Sequence, residues 1–327
     1  MFALDRTTTA CLHRHAHSEE ATESWAADLK SRIAGLAAQV SFELTPAEIL
    51  KDDAWGSLIA RGTRVYIPHA PNTRPGDIAE AARRLRASGM TPVPHIAARR
   101  LRSPAELNEL LARLRECGCR DAFLVGGSVA TPNGEFRSAM DLLRAGLLER
   151  SGIAGLGIAG HPQGSPEISD AELWGALSEK YRFTREAGFP AHILTQFCFE
   201  PTAIDAWERR ARQRGILMPV HVGVPGLTST ARLLHFAAIC GVRASAAFLR
   251  TGVAGAARAL THWSPAALVL KVAARMAGDP DSLYSGIHIF PFGGLRRTAA
   301  WMRALAERRF ELRAGASGVE LVELEDV

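Results

Sequence analysis

A chain of 327 residues with 47% hydrophobic and 22% charged side chains has an ordinary globular composition, and it is long enough to bury a large core without disulfide or metal staples. The formal charge of +5 comes largely from arginines spread along helical segments, such as Arg83, Arg84 and Arg86 and then Arg209, Arg210, Arg212 and Arg214. Solvated helix faces account for that pattern. A nucleic-acid surface would need basic stripes interleaved with aromatics, so no nucleic-acid partner is expected. No apolar run reaches the length of a membrane span and no apolar signal core opens the sequence, which excludes a membrane partner and makes the cytoplasm the expected location. The cysteines Cys11, Cys117, Cys119, Cys198 and Cys240 are scattered and lack ligand spacing, so free thiols and no metal site are expected.

Residues 1–35 read as an N-terminal arm, partly helical or disordered. His13, His15 and His17 alternate there without acidic or cysteine partners nearby, which leaves an exposed arm as the simpler account than a metal tract. From residue 36 short apolar or β-branched runs alternate with longer helical patterns, the signature of a parallel sheet. The expected strands are 39–44, 64–69, 91–98, 121–127, 153–161, 191–199, 217–224 and 286–292. The expected helices open at Thr45-Pro46 and then span about 75–88, 103–118, 138–150, 170–187, 201–214, 229–239 (with further helical material to about 276) and 296–309. Eight strand–helix units with short glycine-stopped loops predict an α/β fold of the (βα)8 TIM-barrel type, a single domain over 36–311 with an N-terminal extension and a C-terminal tail over 312–327. A doubly wound open sheet is the second arrangement compatible with the pattern.

In such barrels chemistry sits at the C-terminal ends of the strands. Polar residues end these strands repeatedly: Glu43, His69, His95, Gly126-Gly127-Ser128, His161, Gln196 and His288. Burying polar groups is costly unless they are paired, so their accumulation at one end points to a site. The glycine pair after strand four suits either close backbone approach to a phosphate or a turn with positive φ.

The strand ends resemble those of the methylenetetrahydrofolate reductase family. Ser41-Phe42-Glu43, Pro94-His95-Ile96, Ala159-Gly160-His161-Pro162-Gln163, Thr195-Gln196-Phe197-Cys198-Phe199, Gly223 and Ile287-His288-Ile289-Phe290 follow the family's motifs in order, over about residues 38 to 300. The resemblance implies an FAD-dependent oxidoreductase that interconverts 5,10-methylenetetrahydrofolate and 5-methyltetrahydrofolate by hydride transfer, with NAD(P)H as hydride donor or acceptor. It implies Glu43 as general acid, and a cofactor set of His95, Gly126, Gly127, Ser128, Ala159, His161 and Ser165. It implies a substrate set of Gln196, Phe197 and His288, with a tetrahydrofolate derivative as the partner molecule. A glutamate among apolar neighbours should hold its proton near neutral pH; the other account of Glu43 is an ion pair with an arginine of a neighbouring strand. By period two Phe197 and Phe199 face opposite to Gln196, so they either meet substrate or pack under helices.

The departures from the family pattern are equally specific. Strand four ends Gly126-Gly127-Ser128 where the family has Arg-Gly-Asp. His161 stands for the usual tyrosine, Ser165 for a histidine, Gln163 for a glutamate, and Gly293-Gly294 for an Asn-Arg pair. These changes keep two further functions open: a flavin-independent, NADH-dependent reductase on the same barrel, and a non-catalytic barrel that binds folate or a partner. The sequence also leaves a homo-oligomer open.

Overall fold

The structure is a computed structural model that describes residues 19–70, 73–242, 262–315 and 318–323. The alternating histidines of the arm and Cys11 lie outside the described residues. Helix α1 (Glu19–Ala38) leads into β1 (Ser41–Glu43), α2 (Pro46–Lys51), α3 (Trp55–Leu58) and β2 (Arg64–Ile67). Then follow α4 (Pro75–Ala87), β3 (Thr91–Ala97), a 3-10 turn (Ala98–Arg100), α5 (Pro104–Glu116), β4 (Asp121–Val125) and α6 (Ala139–Arg144). The chain continues through β5 (Gly155–Gly160), α7 (Asp170–Glu186), β6 (Ala191–Thr195), α8 (Pro201–Gln213) and β7 (Val220–Pro225). The last part holds β8 (Thr228–Ser229), α9 (Thr230–Ile239), β9 (His262–Trp263), α10 (Ala266–Gly278), β10 (Tyr284–Phe290), α11 (Leu295–Ala306), β11 (Phe310–Gly315) and β12 (Gly318–Glu323). The strands close into a barrel in the order β1-β10-β7-β6-β5-β4-β3-β2, so the (βα)8 reading holds and the open sheet does not.

Several helices that follow the barrel strands start on side-chain caps. Thr45 accepts from the Glu48 amide while the Glu48 carboxylate takes the Thr45 amide, and Ser138 with Asp141 and Ser169 with Glu172 repeat this box. Pro46 and Pro104 then occupy first-turn positions where no amide hydrogen is needed.

Packing groups the chain into two compact units. One comprises Ser41–Gln196 with Ala211–His221. In its interior Tyr66, Val93, Phe123 and Leu194 form an apolar cluster flanked by Val125 and Ala159. Gly157 is a glycine for a reason visible in that cluster. A methyl group there would lie 2.6 Å from Phe123 Cδ2 and 3.3 Å from His192 Nε2, because large rings from the strands on both sides already fill the space.

The second unit comprises α1, Phe197–Arg210 and the described residues from Val222 onward. Helix α1 packs on α11 and α10, with Leu29 and Ile33 fully buried, so the boundary expected at residue 35 falls inside a packed helix. An aromatic cluster joins Phe197, Phe199 and Phe290 to Leu233 and Ala237. Elsewhere in this unit Tyr284 Oη donates to Asp205 Oδ1 at 2.9 Å, and Lys271 Nζ lies 3.3 Å from Asp205 Oδ2. The buried Glu208 carboxylate accepts from the Leu283 amide at 3.0 Å. These bonds tie α8 and α10 to the start of β10.

Several expected boundaries move, each for a local reason. Strand six stops at Thr195 rather than Phe199, since its neighbour β5 ends at Gly160 ahead of Pro162 and offers no further ladder beyond one Gln196 amide bond to Gly160 O. The last barrel strand runs 284–290 rather than 286–292, because Pro291 has no amide hydrogen and Phe292 takes a positive φ of 46°. Helix α6, expected over about 138–150, ends at Arg144; Gly146 at φ 64° turns the chain away. The expected tail from 312 forms, within the described residues, an antiparallel hairpin of β11 and β12.

Candidate active site

Glu43 ends β1 in register with Tyr66 of β2, and His95 of β3 is in register with Phe123 of β4. These registers bring Glu43 and His95 together, with Glu43 Oε2 and His95 Nε2 3.6 Å apart. His95 sits in a ring of aromatics: Phe123 at 4.7 Å and Tyr66 at 6.0 Å between centroids. The basic group within ion-pair range of Glu43 among the described residues is therefore a histidine, not an arginine of a neighbouring strand.

Burial decides the charge state of the pair. Loss of water around Glu43, with a smaller push from the Glu48 charge, drives its carboxyl up to about 8. The same desolvation, with a smaller contribution from His69, drives His95 down to about 3. Burial thus favours the neutral form of both groups over an ion pair.

The other rim residues take varied positions. His69 follows β2 and is buried, and its imidazole is pushed down to about 4 by burial first and Arg100 second. Gly127 adopts φ 91°, and a methyl group there would sit 3.3 Å from the Ala97 Cβ, so this glycine meets a conformational need of the turn. Gly126 has open space around it, with no atom within 4 Å of where a Cβ would be, and Ser128 is exposed. Ala159 and His161 are half-buried at the end of β5, and burial, then Lys180, lowers His161 to about 4. Ser165 Oγ accepts from the Glu167 amide at 3.3 Å in the loop beyond. Gln196 follows β6 and is half-buried.

Phe197 and His288 belong to the other unit. Phe197 is fully buried, edge-on to Phe199 and Phe292, which is the packing alternative of the sequence reading. His288 is fully buried in β10, edge-on to Phe290.

Two groups of residues escaped the sequence reading. Tyr66 and His192 share a 2.6 Å hydrogen bond, and His192 packs against His221 at a tilt of 31° with 4.5 Å between centroids. Their signal was a polar residue at the second position of strands six and seven, which periodicity alone does not separate from an exposed strand start. The other is Arg100, on the turn after β3, whose side chain approaches the Gly127 turn. Among the described residues no group of histidine, cysteine and acidic side chains could hold a metal ion, and the described cysteines are free. No described helix is long and apolar enough to cross a membrane.

A closed (βα)8 barrel with a neutral carboxyl and a neutral imidazole side by side at its strand ends defines a barrel enzyme scaffold suited to acid–base chemistry. The sequence profile described as methylenetetrahydrofolate reductase matches residues 70–253, more than half of the chain, and the chain belongs to that family. It is accordingly a barrel of a folate-related reductase family whose members generally bind FAD. Among solved structures, a protein assigned as a phosphonomutase from Burkholderia cenocepacia is 12% identical, with 85% of this chain and 99% of that one covered and a TM-score of 0.45. Dihydropteroate synthase from Thermus thermophilus is 14% identical, with 82% and 94% covered and a TM-score of 0.39. Likenesses this loose carry no argument about activity.

Proposed function

We propose that this protein interconverts 5,10-methylenetetrahydrofolate and 5-methyltetrahydrofolate by hydride transfer, with Glu43 as the general acid. The observation that carries the reading is the Glu43 carboxyl at the end of β1, 3.6 Å from His95 Nε2, where loss of water raises its pKa to about 8 and so favours the protonated form. In the reducing direction Glu43 gives its proton to the bridging nitrogen of the substrate. The carbon–nitrogen bond breaks with its electron pair going to that nitrogen, and the remaining carbon becomes an iminium. A hydride then adds to that carbon to form the methyl group. A neutral acid suits this step, because a buried carboxylate could neither donate nor be tolerated without a partner. In the oxidising direction the same carboxylate takes the proton back. Gln196, with an amide that both donates and accepts, suits the pterin edge.

The residues present fit a flavin. His95 Nε2 is buried without a hydrogen-bond partner among the described residues, and the open space at Gly126 admits close approach to the backbone. His95, Gly126, Gly127, Ser128, Ala159, His161 and Ser165 would hold it, and when bound it relays hydride between NAD(P)H and the folate carbon. A second reading is favoured by one specific feature. Gly126-Gly127-Ser128 supply neither the arginine nor the aspartate that the family places there, which fits direct hydride transfer from NADH on the same Glu43.

The deciding experiment pairs the absorption spectrum of the purified protein with turnover of methylenetetrahydrofolate under NADH, with and without added FAD. A flavin spectrum with FAD-dependent turnover supports the first reading, and colourless protein turning over with NADH alone supports the second. Folate binding without turnover under every cofactor condition would overturn both.

A further inference from the structure

The turns that lead into β2, β3, β4 and β5 touch one another in series, at the strand ends opposite to those that carry His95 and the Gly127 turn. The Gly62 amide donates to Gly89 O at 2.8 Å, Thr91 Oγ1 donates to Gly62 O at 3.3 Å, and the Ala154 amide donates to Arg120 O at 2.6 Å. Arginine side chains bridge the same turns. Arg61 lays its guanidinium over Gly89, with Cζ 2.6 Å from where a β-carbon would stand, and donates from Nη1 to Ser88 O at 3.4 Å. Arg86 brings Nε to 3.6 Å from the corresponding point of Gly118, and Arg115 brings Cγ to 3.6 Å from that of Gly152.

Ion pairing divides the arginines of this unit. On the helix flanks Arg83 pairs with Glu80 at 2.6 Å, Arg113 with Glu109 at 2.7 Å and Arg102 with Glu106 at 2.9 Å. At the turns Arg61, Arg64, Arg86, Arg115, Arg120 and Arg150 are all exposed, and none of them forms an ion pair with a described carboxylate. The carboxylates on the same stretches are Glu116, Asp121 and Glu149, so six guanidiniums stand among three acids. Cations gathered in this way repel one another and attract opposite charge to the surface.

We propose that these four turns form a docking surface for an acidic segment of a partner protein, whose carboxylates pair with the six unpaired arginines. A guanidinium presents a planar fork of donors that takes a carboxylate through two parallel bonds. Three features select a peptide over other polyanions. Glu116, Asp121 and Glu149 interrupt the arginines, which suits spaced carboxylates and opposes a nucleic-acid strand with one phosphate per roughly 3.4 Å. No aromatic residue stands on these turns to stack a base. Their large apolar residues Ile59, Met90, Leu148 and Ile153 are buried, which leaves no anchor for a lipid surface. The surface lies apart from Glu43 and does not rest on the reading of that residue.

The test titrates the full-length protein into a fluorescein-labelled peptide of alternating glutamate and serine and reads anisotropy, with the glutamine–serine peptide as neutral control. Saturable binding of the acidic peptide is expected, weakening as sodium chloride rises from about 50 to about 300 mM because salt screens exposed charges. Arg86→Gln, Arg115→Gln and Arg120→Gln together should weaken it about tenfold or more. Arg83→Gln, Arg102→Gln and Arg113→Gln together remove the same charge from paired positions and should change it by less than about threefold. Equal losses in the two variants would overturn the proposal, since net charge would then suffice, and so would a wild type that ignores the acidic peptide. Tighter binding of a thymidine oligonucleotide or of phosphatidylserine vesicles through the same three arginines would overturn it too, by assigning the surface to a nucleic acid or a membrane. If the first triple variant fails to fold, Arg86→Gln and Arg120→Gln singly decide, each expected to weaken binding about twofold or more.

Discussion

Glu43 and His95 approach to 3.6 Å, and burial moves them in opposite directions, the acid up to about 8 and the base down to about 3. In an exposed pair of these types the carboxylate would be ionised at pH 7 and the imidazole partly protonated. Here the missing water makes each group cheaper to keep neutral than to charge, so the proton stays on the carboxyl.

Glu43→Gln should abolish methylenetetrahydrofolate turnover, by a factor of at least about a hundred, while folate binding stays within a few-fold. In the wild type the reductive rate should fall as pH rises through about 8. Steady-state kinetics from pH 6 to 9.5 check both. Retained turnover in the variant removes Glu43 from the mechanism.

The same residue makes a stability prediction of opposite sense. A carboxyl raised from 4.5 to about 8 binds its proton more tightly folded than unfolded, so stability present at low pH is lost as pH rises from about 4.5 through 8. Glu43→Gln lacks that loss. At pH 8.5 it should melt no lower than wild type and about 2–4 °C higher for each kcal/mol recovered, as differential scanning calorimetry would read.

The half-buried histidines of β6 and β7 act in the acid range. His192 is pushed down to about 3 by burial and then by His221 and Arg64, and His221 is pushed down to about 4 by burial and then by Arg64. Groups with depressed imidazole values contribute stability above 6.5 that is lost as pH falls from 6.5 through about 4, because the unfolded chain takes up protons that the folded one refuses. Thermal melts between pH 7 and 4.5 should show a steep decline, shallower in His192→Gln. An equal slope in that variant would mean this histidine does not govern the acid limb.

Gly157→Ala tests the filled interior. The added methyl would meet Phe123 Cδ2 at 2.6 Å, so the variant should lose about 1–3 kcal/mol in chemical denaturation. Phe123→Leu in the same chain should recover part of the loss. A neutral single substitution would mean that the rings shift freely.

Asp205 lies at 9% side-chain exposure and joins the Tyr284 hydroxyl to the Lys271 ammonium. Asp205→Asn should cost about 3 kcal/mol, since it removes the negative charge opposite a buried lysine, and Tyr284→Phe only about 1 kcal/mol. Denaturation midpoints check the ranking. A reversed order would place the main stabilisation in the hydroxyl bond.

What the sequence determined by itself was the succession of elements and the residues that end them. Hydrophobic period and capping residues are local, so the strand–helix alternation, the barrel and the motifs at Glu43, His95 and Gln196 could be read along the chain. Where pairing sets an end, local pattern fails: Gln196 to Phe199 continue the apolar run of β6, yet the ladder stops because β5 stops. The burial of α1 and the hairpin after α11 were equally out of reach, since both depend on a surface built by distant segments. Tertiary structure alone decided the chemistry of the site. The identity of Glu43 is written in the chain, but the burial that favours its protonated form and the Tyr66–His192–His221 contacts come from strand register, which no stretch of sequence contains.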